Sequence, residues 1–403
     1  MKEYNKIQYI KGLRMNKNNV VTLSAVGDVA LFKLKVESMF EHVKPILQAA
    51  DIKFAQNERL LTYRKDVSAV VDTSKDITSE VSTTGFTELA DARNAHVLKE
   101  GGFDVMSFAS NHSMDLGARV MMETINTLKE NGFQVIGAGK NIEEARRAAF
   151  VERKGVKVAF LGYCSALRDN YQASEFKPGV APMRADTFYR PKNYQPGIMP
   201  EVFTYAWKDD LAALKEDIEK AKKQADIVAV SIHWGISFTR EVSMYMREMA
   251  FAAIDAGADV ILGHHAHQLK AIEVYKGKPI FYCMGNFAMD IEYEEYLLWR
   301  KISPYYRKLT TYSGYGPEPD WPMYNFPPEG RYSMIARCEI EDKKIKKAYF
   351  YPVLINPYAQ PVPVLRKDKK FEKFLKYVQE ITEEQGMKTK FTAEGDTIVI
   401  DLT

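Results

Sequence analysis

The sequence predicts an α/β protein whose strands deliver polar residues to one rim. Three observations carry this reading. Short apolar, β-branched runs alternate with stretches of helical spacing, the pattern of βαβ units and a mostly parallel sheet. Five of these runs end directly in a residue type that binds metals or protons. Four of the seven histidines fall between Asp226 and His267, just past two of the runs. In an open α/β sheet, ligands bind in the crevice outside the carboxyl ends of the strands.

The elements follow in order. Residues 20–26 form the first strand, stopping at Gly27-Asp28; a helix over 36–50 carries Met39, Phe40, Val43, Ile46 and Leu47 on one face. Residues 52–55 make a second strand that ends in Gln56-Asn57-Glu58, and the threonine-rich stretch 66–84 reads as a surface excursion. A helix over 88–100 closes on Gly101-Gly102. The third strand, 103–109, runs into Ser110-Asn111-His112, and a helix over 117–130 stops at Asn131-Gly132. Strands at 135–136 and 156–163 flank a short helix at 142–149, and the proline-rich stretch 177–200 reads as a long loop. Helices at 207–225 and 242–256 frame the strand 227–232 with its His233; the strand 260–262 leads to His264, His265 and His267.

Beyond Phe287 the character changes. Residues 291–326 hold ten aromatic residues and no clear period, as expected of a lid or packing flap. Paired strands within 334–355, a helix over 370–384 and a strand at 397–401 complete a small α+β appendage. The expected organisation is a polar segment 1–19, a main domain 20–290, and a remainder 291–403 that completes the fold.

The totals bound the function. At 403 residues and 46% hydrophobic, the chain can bury a large core. A net charge of +3 argues against nucleic acid as a partner. No run approaches the roughly 20 apolar residues that span a bilayer, and the polar N-terminus lacks a secretory core. The expectation is a soluble, cytoplasmic protein without a transmembrane segment; removal of an anchor before Met1 would leave a membrane-associated protein reading the same. Cys164, Cys283 and Cys338 are an odd number at wide spacing and read as small buried hydrophobes.

Asp28, Glu58, Asn111, His112, His233, His265 and His267 all stand at strand ends. Two carboxylates, an amide oxygen and imidazoles form a mixed N/O donor set, which suits Mn, Fe or Zn rather than calcium. So many donors exceed one four-coordinate site, so one or two divalent ions, bridged by a carboxylate, are the natural arrangement. Taken singly, Asp28 and Glu58 could be turn formers, Asn111 a loop cap and His112 a core histidine. Asp115 reads as the N-cap of the helix from Gly117. His264 is expected to point away, since it alternates in facing with its neighbours. The elbow of serine hydrolases, the Walker loop and the Rossmann glycine fingerprint do not follow any strand.

Val26-Gly27-Asp28, Glu58, Ser110-Asn111-His112 with Asp115, His233-Trp234-Gly235, His265-Ala266-His267 and Gly285-Asn286-Phe287 resemble, in order, the motifs of the bacterial poly-γ-glutamate capsule synthesis (CapA) family. That family is similar in fold to the calcineurin-like metallophosphoesterases. The resemblance therefore implies a four-layer αββα sandwich with metals at strand ends. It implies Asp28 and His267 for one metal, Asn111, His233 and His265 for the other, and Glu58 between them. His112 and Asp28 are the implied catalytic residues, His112 assisting the leaving group. The chain departs from the superfamily at Ala30, where a histidine is usual, and at Glu58, which replaces an aspartate. It departs from the family at Gln56, Asn57, Ala266 and Lys270.

Three readings follow. One is a metal-dependent hydrolase of capsule or cell-envelope metabolism, acting on a phosphate ester or glutamyl-type amide. Another is a non-catalytic component that binds or assembles an acidic polymer. A third treats the histidines as core residues. The cluster Arg300, Lys301, Arg307 and Lys308 is expected to be a solvated face rather than a receiver of acidic substrate.

Overall fold

The computed structural model describes residues 20–32, 38–63, 90–193, 199–302 and 315–403. The stretch 66–84, residues 307 and 308 of the basic cluster, and the segment 1–19 lie outside them.

Two large sheets organise the chain. The first, of ten strands, has Val21–Ala30 near its centre. On one side of that strand lie Ile52–Asn57, Val105–Ser107 and Gln134–Ile136, all parallel. On the other side, Tyr332–Glu341 and Lys344–Ile355 continue the sheet antiparallel. Asn286–Met289 also pairs with the first strand, in parallel. The second sheet, of six strands, has a parallel centre of Val156–Cys164, Ile227–His233 and Val260–His264. Antiparallel strands flank it at both edges. The mostly parallel sheet expected from the alternation is thus corrected to two mixed sheets. Parallel pairing holds where helices cross over, and hairpins supply the rest.

Two hairpins, one at the edge of the second sheet and one forming a small sheet of its own, replace other expectations. The helix at 142–149 is only Ile142–Ala145; Ala149–Arg153 turns at Lys154 and Gly155, both at positive φ, and pairs back on Val156–Cys164. The loop expected at 177–200 contains Ala185–Arg190, which pairs with Glu201–Ala206. The helix expected over 88–100 is Ala95–Glu100 behind a turn of 3₁₀. Within 291–326, Tyr293–Ile302 is helical.

One core lies between the sheets. Val21, Leu23 and Phe54 of the first share it with Phe160, Ile227 and Leu262 of the second. Phe54 and Phe160 stack with centroids 5.8 Å apart. The outer face of the second sheet is covered by Lys208–Lys222 and Met244–Asp255, whose Leu214, Ile218, Met246 and Met249 pack on Val228 and Val230. Leu214, Ile218 and Ala221 recur at helical spacing, while Asp209 and Asp210 at the start and Lys220 and Lys222 at the end oppose the helix dipole. On the outer face of the first sheet, Ile46, Leu47, Val97 and Leu98 pack against Val26, Ala55 and Met106. The C-terminal helix Lys369–Glu383 adds Phe371, Phe374, Val378 and Ile381 to the inter-sheet core. Each such fully buried side chain contributes roughly 1.5–3 kcal/mol.

Candidate metal centre

The first strand does not stop at Asp28. It runs on to Ala30, and its register with both parallel neighbours slips next to Asp28. Such a bulge re-aims one side chain. The slip accompanies a close pass of the 283–285 turn, whose Gly285 carbonyl accepts from the Asp28 N–H at 3.0 Å. Asp28 is fully buried, and its Oδ2 accepts from the backbone N–H of His265 at 3.1 Å. Its Oδ1 faces His264 Nδ1 at 3.2 Å. His264 therefore does not point away: it is buried behind Asp28, because the strand ends there and strict alternation ends with it.

Glu58 directly follows its strand and is fully buried. Its Oε1 lies 3.7 Å from His233 Nε2 and 3.6 Å from His267 Nε2. Ligand atoms of Glu58, His233 and His265 all lie within 4.8 Å of one another, and so do those of Asp28, Glu58 and His267. Glu58 is common to both groups. Asn111 joins the first: its Oδ1 is 2.8 Å from His233 Nε2. The structure thus brings together Asp28, Glu58, Asn111, His233, His265 and His267, which come from five strands or the turns that follow them.

The donor set fits a divalent cation. His233 Nε2 stands 3.1 Å from His265 Nδ1 as well as 2.8 Å from the Asn111 oxygen, so three atoms of types that ligate cations share a small volume. Burial, reinforced by His265 and His264, holds the His233 imidazole well below its ordinary pKa. Burial and then His267 do the same for His265. Both rings are neutral at pH 7, the state that ligates. His265 and His267 also sit at φ +89° and +55°. Non-glycine residues in that region cost about 1–3 kcal/mol and cluster at functional sites.

His112 is half-buried, with Nδ1 2.7 Å from Asp115 Oδ2. Asp115 also accepts from Tyr171 Oη at 2.8 Å and Arg168 Nη1 at 3.1 Å. Burial opposes the charge on Asp115, but His112 and Arg168 hold its carboxyl below the usual range. The expectation that Asp115 caps the helix is corrected: Gly117–Glu130 has Leu116 at its N-cap and no side-chain cap. Asp115 instead fixes His112 through Nδ1.

Other contacts come from residues without an assigned role in the sequence. Asn286 Oδ1 is 2.9 Å from His267 Nδ1, Ser237 Oγ is 3.3 Å from His265 Nε2, and Phe238 and Phe326 pack on the His267 ring. Asn286 stands in one of the motifs; the other contacts cross long sequence distances with no local signal. The three cysteines are free and buried, as expected, and burial pushes the Cys283 thiol up to about 12.

Lys270 is fully buried, donating to the Thr239 and Glu241 carbonyls at 2.5 and 2.7 Å, and so ties the two histidine loops together. Burial pulls its pKa down to about 8. In an unfolded chain it titrates near ~10.4, so between these values the unfolded state binds more protons and stability rises with pH. Urea unfolding at pH 7.5 and 9.5 should show the wild type gaining stability relative to Lys270→Met. Equal changes in the two proteins would show that the amine is not held this way.

Mixed α/β architecture with a carboxylate-centred histidine cluster at the strand ends defines the class. The chain belongs to the bacterial capsule synthesis protein family PGA_cap, whose sequence model matches residues 15–291. It is 32% identical over 282 residues to the PGA biosynthesis protein CapA of Bacillus subtilis, covering 68% of this chain and 64% of that protein. It is 28% identical over 288 residues to the capsule biosynthesis protein CapA of Bacillus anthracis, covering 69% of this chain and 62% of that one. It thus spans a little under two thirds of either relative. Among solved structures, a hypothetical protein from Thermus thermophilus aligns with a TM-score of 0.43 at 15% identity, covering 82% of this chain and 98% of that one. Among the described residues, no helix is long and apolar enough to cross a membrane.

Proposed function

We propose that this chain is a metal-dependent hydrolase of capsule or cell-envelope metabolism, acting on a phosphate ester or a glutamyl-type amide, in a sandwich layered like the calcineurin-like metallophosphoesterases. The observation that carries the proposal is the sharing of Glu58 by two ligand groups. Asp28, Glu58 and His267 would hold one ion, and Glu58, Asn111, His233 and His265 the other, with Mn, Fe or Zn as the ions. When bound, such ions lower the pKa of a water and offset charge on the substrate oxygens.

The chain's own residues supply the rest. Buried carboxylates and imidazoles orient the donors, and His265 N–H steadies Asp28. His112, held through Nδ1 by Asp115, can release a proton from Nε2 toward a departing group. The names of the Bacillus relatives, as PGA and capsule biosynthesis proteins, support a capsule polymer or its precursor as the substrate class.

Metal-free protein reloaded with Mn²⁺ should hydrolyse bis(p-nitrophenyl) phosphate or γ-glutamyl-p-nitroanilide. His233→Ala should lower that turnover at least hundredfold. Bound metal without turnover on either substrate would favour the second reading, a polymer-binding or assembly component. Ala30 supports that second reading, because it leaves the Asp28 group one donor short of the superfamily pattern.

A further inference from the structure

Tyr324 comes from the aromatic segment beyond the family match, yet its hydroxyl is buried beside the site. It lies 2.5 Å from the Gly330 carbonyl oxygen, which can only accept, so the single phenolic proton is committed there. The same hydroxyl oxygen is 2.9 Å from the side-chain nitrogen of Asn286 and must accept from it. That orients the amide, leaving Asn286 Oδ1 toward His267 Nδ1 at 2.9 Å. An amide oxygen is an acceptor only, so Nδ1 carries the imidazole proton. Nε2, 3.6 Å from Glu58 Oε1, is left with the lone pair. One backbone carbonyl thereby dictates the polarity of three groups in series: the Tyr324 hydroxyl, the Asn286 amide and the His267 imidazole.

We infer that Tyr324 is a positioning residue that sets the tautomer of His267 through Asn286. The inference rests on the metal-holding reading of His267, but its first test needs no metal. The device suits this chain because Ala30 contributes no donor, so the Asp28 group depends on Nε2 of His267. Partners beyond the ligands that fix imidazole tautomers commonly matter ten- to a hundredfold for metal affinity.

The test is ¹⁵N NMR of the imidazoles in metal-free protein at pH 8.5, with His267 assigned by its absence in His267→Gln. Wild-type His267 is expected as the Nδ1–H tautomer. In Tyr324→Phe the ring still packs against Phe326, 4.9 Å away, but Asn286 loses the acceptor that orients it. Both amide orientations then become comparable and the Nε2–H tautomer should appear. Wild-type His267 protonated on Nε2, or a Tyr324→Phe spectrum matching the wild type, overturns the inference. Zinc titration of the folded variant should show one of two binding steps weakened about ten- to a hundredfold and the other unchanged. Weakening of both steps alike would contradict action through His267. If neither protein binds divalent ions yet the tautomer responds, the metal reading fails and the positioning role stands.

Discussion

Gly27→Ala should leave almost no folded protein. A Cβ at this position would lie 1.9 Å from the Gly285 carbonyl oxygen and 2.9 Å from its carbon. These are backbone atoms of the turn that positions Asn286, so no side chain can swing aside. The first strand would have to part from that turn, where the Asp28 N–H bonds Gly285. The expected cost exceeds about 4 kcal/mol, a large share of the 5–15 kcal/mol that holds typical domains folded. Gly132 offers the contrast: it sits at φ +92° with nothing within 4 Å of the added carbon. Gly132→Ala should cost only about 1 kcal/mol, from backbone strain. The folded fraction of each variant in the absence of denaturant, read by circular dichroism, and the urea midpoint of whatever folds make the comparison. Similar losses in the two would mean that the strand and turn do not approach as closely as this.

Glu58→Gln should weaken both metal positions together. The amide preserves the shape of the side chain while removing the one charge common to both ligand groups. Affinity for Mn²⁺ or Zn²⁺, read by calorimetry, should fall at least hundredfold at each. Asn111→Ala, by contrast, should affect only the position shared with His233 and His265. The metal-free proteins should order the other way. Asp28 and Glu58 are both fully buried with oxygens within 4.8 Å, so in the metal-free protein removing one carboxylate relieves like-charge crowding. Metal-free Glu58→Gln should therefore melt above metal-free wild type. A variant that keeps one position at full affinity would show that the carboxylate is not shared.

Much of this site is legible in the sequence because each part is local. An apolar run followed at once by Asp28, Glu58, Asn111 or His233 states both the strand and what it carries to its end. What is not legible depends on exceptions to local rules or on distant pairing. His264 reads as outward-facing by alternation, but the chain leaves the strand there and turns through two histidines at positive φ. Asp115 reads as a cap from its place ahead of Gly117, whereas its partners Arg168 and Tyr171 lie more than fifty residues away. The Ala185–Arg190 hairpin hides among prolines, and its partner strand begins at Glu201. Tyr324 sits in a segment whose composition suggests packing but cannot show that its hydroxyl meets Asn286.

Elemental analysis of the purified wild-type chain reaches the heart of the matter. Protein prepared without chelators and passed through a desalting column should carry at least one tightly held Mn, Fe or Zn per chain, and His233→Ala should lose it. Wild-type protein that stays free of bound metal even after dialysis against excess Mn²⁺ and Zn²⁺ would leave these converging side chains without the ion their geometry is argued to hold.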